Sequence, residues 1–189
     1  LPTHQKPSPL TRGEGLRLLA PLIRMRETPF GERLLVATAD GSHSLYLPAV
    51  DEHYHSSHGA LLESMHVFIG NGYGVAAALQ RNSLRVLEVG FGTGLNALLT
   101  WQCSRSARLA VAYVGIEPYP LDHELVALLN YPEQLAVTRA RAMFEAMHRC
   151  RWGSEKQLDE YFRLQKFHCS FTQLDRKSTR LNSSHLVIS

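Results

Sequence analysis

Cysteine is scarce in this 189-residue chain: Cys103, Cys150 and Cys169 are three in number and far apart. An odd, scattered set excludes a disulfide framework or a cysteine-built zinc site as the basis of the fold, and it suits a reducing cytoplasm. Long apolar runs are missing too. No stretch approaches the roughly 18 consecutive apolar residues of a membrane helix. Residues 1–24 lack the basic flank and apolar core of a signal peptide. Internal repeats and low-complexity runs are also absent, which sets aside solenoids and chains disordered by composition.

What is present is ordinary for one soluble globular domain, with 44% hydrophobic and 20% charged residues. The net charge of +3 hints at nucleic acid, but its distribution weakens the hint. Lys6, Arg12, Arg17 and Arg24 face only Glu14 at one end, and Arg176, Lys177 and Arg180 face only Asp175 at the other. Residues 25–174 are therefore net −2.

Both ends stand apart from the rest. Residues 1–15 are rich in Pro, Gly and polar residues, and a candidate short helix, Leu16–Ile23, follows them within the doubtful extension 1–24. A native extension and a natural start at Met25 remain equally open. The tail Asp175–His185 resembles the translation of a common sequencing-adapter oligonucleotide over eleven consecutive residues. The bland alternative is an ordinary Ser-rich tail. On the first reading the natural sequence stops near Leu174, and 175–189 is a disordered addition to a C-terminally truncated chain.

Between the ends, residues 25–82 read as a hairpin followed by a helical segment. Arg33–Thr38 and Ser44–Leu47 are strands around the turn Ala39–Ser42. Leu61, Leu62, Met65, Phe68 and Ile69 recur at helical spacing over Gly59–Ile69, before Gly70, Gly72 and Gly74 break the helix. A short helix then reaches Leu79. Residues 83–174 read as a βαβ half-domain. Leu84–Val89 is a strand, Gly90–Gly94 a tight loop, Leu95–Cys103 a helix and Leu109–Ile116 a second buried strand. Leu121–Leu129 and Glu133–His148 follow as helices, and Phe162–Phe171 as a third strand.

The chemistry concentrates at the glycine loop. Gly90, Gly92 and Gly94 turn the backbone sharply where the strand ends, and the next helix points its N-terminal amides at that spot. The spacing is G-x-G-x-G with Glu88 two residues ahead, unlike the G-x-G-x-x-G of dinucleotide sites. It resembles the first motif of class I methyltransferases. A carboxylate ending the next strand can accept both hydroxyls of a ribose, and Glu117 stands there, 29 residues after Glu88. The candidate cofactor-binding residues are therefore Glu88, Gly90, Phe91, Gly92, Thr93, Gly94, Leu95, Asn96, Glu117 and Pro118. Asn96 could equally be a plain helix cap, and Glu88 could merely pair with a nearby base.

Six segments, the glycine loop and the Glu117 strand end among them, carry a more specific resemblance. Asp40-Gly-Ser, Asp51-Glu-His-Tyr-His-Ser56, Gly59-Ala-Leu-Leu-Glu-Ser64, His66-Val-Phe-Ile69, Gly90-Phe-Gly-Thr-Gly-Leu-Asn96 and Gly115-Ile-Glu-Pro-Tyr-Pro-Leu121 occur in the order of one lineage. Over roughly residues 33–174 the chain resembles the tRNA 5-methylaminomethyl-2-thiouridine methyltransferases, which occur alone or fused to an oxidase domain. The resemblance implies an α/β fold, a Rossmann-like class I sheet preceded by a hairpin and helix, with its later strands missing from this chain. It implies S-adenosylmethionine as cofactor and tRNA as substrate, methylated on the aminomethyl nitrogen of a wobble uridine. It also implies a cytoplasmic enzyme, with a fused or partner oxidase domain lying outside this chain.

Two of the family's features find no match. Its Asp-x-Phe-x-Pro loop after the fourth strand has no counterpart, so no catalytic residue is assigned. Its acidic residue after the third strand is replaced by Phe167-His-Cys-Ser-Phe171. The expectation follows that the chain as it stands binds cofactor poorly, is inactive, and exposes an apolar sheet edge prone to aggregation.

Three other readings fit parts of the sequence. A methyltransferase acting on another amine shares every residue named. A nicotinamide-dependent dehydrogenase is disfavoured by the glycine spacing. His53, His55 and His58, with His43 and His66 nearby, raise a metal module, but no Cys or carboxylate completes a ligand set. The expected metal content is none, and Tyr54 and Glu63 are read as lining a substrate or cofactor loop. Arg139, Arg141, His148, Arg149 and Arg151 could meet tRNA phosphates or could be plain surface.

Overall fold

The computed structural model describes the backbone of residues 17–18, 28–79, 82–173 and 186–188, and the side chains of residues 28–79 and 82–173. Strands β1 (Arg17–Leu18), β2 (Leu34–Ala37), β3 (His43–Leu47) and β4 (Glu52–His53) form a small antiparallel sheet in that order. The hairpin closes as its turn residues dictate. Gly41 takes a positive φ of 81°, and Thr38 and Ser42 hydrogen-bond through backbone and hydroxyl. Residues 52–53, for which the sequence suggests no strand, contribute β4 to the edge of this sheet. Of the candidate helix at 16–23, Arg17–Leu18 is instead a strand paired with β2. The rest of it, and Met25, lie outside the described residues.

The glycines at 70, 72 and 74 do not break the helix. Helical structure runs without interruption through α1 (Ala60–Glu63), a π-helical stretch (Ser64–Gly74) and α2 (Val75–Leu79). Ala60, Ser64, Phe68, Ile69, Tyr73 and Ala76 form its buried stripe. Packing of that stripe overrides the poor helix propensity of glycine, and the wider π turn absorbs the irregular spacing.

The larger sheet is mixed, in the order β7-β8-β6-β5-β9. Its parallel centre joins β5 (Ser83–Val89), β6 (Ala110–Ile116) and β8 (Phe162–Phe167), with α3 (Leu95–Ala107) as the first crossover. The second crossover passes through α4 (His123–Leu128), α5 (Tyr131–Gln134) and α6 (Ala140–Arg149). The single helix expected over 133–148 is divided by Ala136 and Arg139, both at positive φ. The third strand stops at Phe167, and β7 (Glu155–Asp159), which had not been foreseen, lies antiparallel on its outer side. Exposed polar residues in Glu155–Asp159 hide an edge strand from a search for apolar periodicity.

One large core, built around Trp101, Tyr113, Tyr131, Phe144 and Phe162, fills the space between sheet and helices. The edge of β5 expected to be bare is paired in parallel by β9 (Leu186–Ile188). These three residues come from the segment expected to be disordered. Leu-Val-Ile is a strong strand former and meets an unpaired edge. Residues 174–185, the rest of the adapter-like tail as far as His185, lie outside the described residues. No described helix is long and apolar enough to cross a membrane.

Candidate functional site

The glycine turn sits where β5 and β6 end side by side. The Gly90 and Phe91 amides both donate to the Ile116 carbonyl, at 2.8 and 2.9 Å, tying the turn to the neighbouring strand. Phe91 is the anchor. Its ring is buried in a notch above Gly115, where a Cβ would come within 2.6 Å of it, and its neighbours are His148, Trp152 and Lys166. Gly94 then caps α3 in the left-handed conformation, φ 74°.

A cavity of about 260 Å³ opens beside the turn. Of the residues named from sequence, Glu88, Gly90, Phe91, Gly92, Thr93, Leu95, Asn96, Tyr54 and Glu63 all line it. Glu117 lies across Gly92, in an adjoining cavity of about 70 Å³ with His123, His148, Trp152 and Lys166. Gly94 and Pro118 line neither; the Pro118 carbonyl accepts a bond from His168 Nε2 at 3.1 Å.

Two acidic side chains hold the turn from opposite sides. Glu117 Oε2 accepts the Gly92 amide at 2.8 Å, and its Oε1 accepts the Tyr119 amide at 2.8 Å. Glu88 Oε1 accepts from Asn96 Nδ2 at 2.9 Å, so Asn96 is tied to the acid rather than to the helix end. Glu88 Oε2, Asn96 Oδ1 and the Tyr113 hydroxyl are buried without a hydrogen-bond partner. Burial pushes the Glu88 carboxyl up to about 8, helped by the charge of Glu117 and opposed by the nearby Tyr113 hydroxyl, which stands outside bonding geometry, and by the Asn96 bond. The pattern fits a polar ligand: unpaired acceptors at the cavity wall, a glycine turn open above them and free amides in the first turn of α3.

Sequence reasoning missed four groups. Arg33, read only as a strand start, is buried; its Nε donates to the Tyr54 hydroxyl at 2.9 Å, and its other nitrogens bond the Tyr119 and Pro120 carbonyls. No periodic signal marks it. Lys166 is buried too; its Nζ donates to the His148 carbonyl at 2.9 Å and sits 4.3 Å above the Trp152 ring, and burial brings its pKa down to about 8. The alternation Phe162, Leu164, Lys166 places it on the inward face and was readable. His55 and His148 both contact Thr93.

His148 therefore faces inward, and the basic stretch is not a common surface. Arg141 pairs with Glu133 and Arg149 with Glu145. The histidines of 53–58 diverge as well: His53 stacks on Tyr46, and His58 bonds Ser56. Among the described residues no group of three or more His, Cys, Asp or Glu side chains could hold a metal ion.

Arg33 joins the hairpin sheet to the loop after β6, so its replacement tests that junction. Arg33→Met should lower unfolding free energy by about 2 kcal/mol, because three acceptors lose a charged donor. Tyr54→Phe should cost about 1 kcal/mol. Urea unfolding midpoints of both variants check this, and equal costs would deny Arg33 its bridging role.

Comparison with known proteins gives a consistent answer, although no protein-family model matches the chain. Over 138 residues it is 33% identical to the tRNA 5-methylaminomethyl-2-thiouridine biosynthesis bifunctional protein MnmC of Ralstonia nicotianae, covering 70% of this chain and 18% of that protein. Over 89 residues it is 42% identical to the protein of the same name from Cupriavidus necator, covering 45% and 13%. The chain is a homologue of the MnmC proteins. It spans less than a fifth of the length of these MnmC relatives. The crystal structure of MNMC2 from Aquifex aeolicus shares its fold, with a TM-score of 0.54 at 22% identity over 79% of this chain and 46% of that one.

Proposed function

We propose that the chain is the cofactor-binding part of an S-adenosylmethionine-dependent methyltransferase of class I, Rossmann-like architecture. On this reading it acts on the aminomethyl group of a wobble uridine in tRNA. The observation that carries the reading is the pair of acids on either side of one glycine turn: Glu88 with Asn96 below the larger cavity, and Glu117 on the Gly92 amide. The names of the MnmC relatives support tRNA as the substrate, and a tRNA substrate is in keeping with a cytoplasmic enzyme. The relatives' greater length agrees with a fused or partner oxidase domain outside this chain.

Glu117 would hold the ribose. Each of its oxygens accepts one backbone amide and keeps a lone pair for a hydroxyl. Glu88 and Asn96 would hold the amino-acid end through their unpartnered oxygens. S-adenosylmethionine, when bound, supplies an electrophilic methyl group. An incoming amine needs only to be neutral and aligned, so positioning accounts for much of the rate. Tyr54, fixed by Arg33, with Glu63 and the apolar Val67 and Phe68, would orient the substrate and exclude water at that mouth.

Titration calorimetry with S-adenosylhomocysteine tests the cofactor assignment. Glu117→Ala should weaken binding about ten- to a hundredfold, the value of losing a charge-assisted bond to a hydroxyl. Binding unchanged in Glu117→Ala would remove the ribose assignment. Transfer of labelled methyl groups to bulk tRNA, but not to free amines or protein, by a longer form that carries the strands expected to be missing here tests the substrate.

A further inference from the structure

Thr93 is held from two sides by partly buried imidazoles that the proposed chemistry does not use. Its hydroxyl lies 2.9 Å from His55 Nε2, and its carbonyl accepts from His148 Nε2 at 3.1 Å. That carbonyl stands just before α3, outside the helix's own bonding pattern, so His148 satisfies an otherwise orphaned group. The space for His148 is created by glycine: a Cβ on Gly94 would lie 2.8 Å from His148 Nε2. The third glycine of the motif thus accommodates an imidazole rather than a ligand, in keeping with its absence from both cavity walls.

The two rings are fixed differently. His55 Nδ1 faces Glu63 Oε2 at 3.8 Å, which favours a proton on Nδ1 and leaves Nε2 to accept from the Thr93 hydroxyl. His148 must carry its proton on Nε2 to donate to a carbonyl. Its ring is wedged edge-on between Phe91 and Phe144. We propose that His55 and His148 are positioning residues that fix the Gly90–Gly94 turn by holding Thr93 at its hydroxyl and its carbonyl, as neutral imidazoles of opposite tautomer. The clamp rests on the cofactor reading only for what the turn is held ready to do.

The surroundings keep both rings neutral. Burial lowers His55 to about 4, opposed by Glu63 and Asp40. Burial lowers His148 to about 3, helped by the charges of Lys166 and His123 and opposed by the bond to Thr93. Tyr131 stands edge-on to His55 and faces Thr93, and Glu145 and Arg149 border the same pocket as His148.

Nitrogen-15 NMR of the histidine rings in the intact chain tests the clamp without any ligand. The expected result is a proton on Nδ1 for His55 and on Nε2 for His148, with neither ring titrating between pH 8 and pH 5. Thr93→Val should shift the His55 ring signals and spare those of His148, and Thr93→Ser should restore them. Thr93→Val should also weaken S-adenosylhomocysteine binding about tenfold, with rescue by Thr93→Ser. Rings that titrate near pH 6.5, or tautomers other than these, would overturn the proposal. Rings that behave as expected in a protein that takes up no S-adenosylhomocysteine would uphold the clamp and refute the cofactor reading.

Discussion

Gly92→Arg should leave a folded protein whose affinity for S-adenosylhomocysteine is down at least a thousandfold, about 4 kcal/mol. Three costs fall on one residue. The backbone at Gly92 is left-handed, φ 49°, which a side chain tolerates at about 1–2 kcal/mol. A Cβ would press to 3.3 Å from Tyr54 Cδ1, a ring that Arg33 prevents from moving aside. The rest of the arginine then has only the two cavities to enter, since Gly92 lines both. The guanidinium would pair with Glu88 or Glu117, the acids proposed to hold the ligand. Gly92→Ala separates these terms, because it keeps the strain and the Tyr54 contact but not the plug. Its expected loss is about tenfold, and circular dichroism checks that both variants fold. A folded Gly92→Arg protein that binds within tenfold of the parent would remove the turn from the site.

The same geometry explains what the sequence could and could not reveal. Leu84–Val89, the glycine turn and the strand ending in Glu117 were legible because each is local: an apolar run, a punctuation of glycines, a carboxylate at a strand end. The cavity residues Tyr54 and Glu63 were legible only through family resemblance, since nothing within ten residues of either announces a cavity. Arg33, His55, His148 and Lys166 were not read as site residues. Their roles depend on contacts from segments 14 to 87 residues away, such as Lys166 with Trp152, Arg33 with Pro120 and His55 with Thr93. The helix through Gly70, Gly72 and Gly74 was misread for a related reason. Propensity is a local quantity, whereas the buried stripe from Ala60 to Ala76 belongs to the tertiary structure.

Stability should peak near pH 6.5 and fall by about 1.4 kcal/mol per pH unit on either side, down to pH 4.5 and up to pH 8. His55 and His148 have folded values lowered to about 4 and about 3, from 6.5. Below 6.5 the unfolded chain binds their two protons and the folded chain does not, so stability is lost as pH falls. Glu88 acts in the opposite sense. Its folded value is raised from 4.5 to about 8, so it adds stability that is full below 4.5 and lost as pH rises through 8. Between 4.5 and 6.5 two unfolded-state protons oppose one folded-state proton, leaving a net slope of one. Between 6.5 and 8 only Glu88 contributes, and the slope reverses. Lys166, lowered from 10.5 to about 8, contributes only above that window. Glu88→Gln then separates the two sources: the alkaline limb should flatten, and the acid limb should steepen to about 3 kcal/mol per unit. Urea midpoints measured at half-unit intervals from pH 4.5 to 8 check both curves. A Glu88→Gln profile that superimposes on the parent would mean that Glu88 is ionised in the folded protein. In that case its buried, unpartnered oxygen would belong to a carboxylate, and the polar floor of the cavity would carry charge before any ligand arrives.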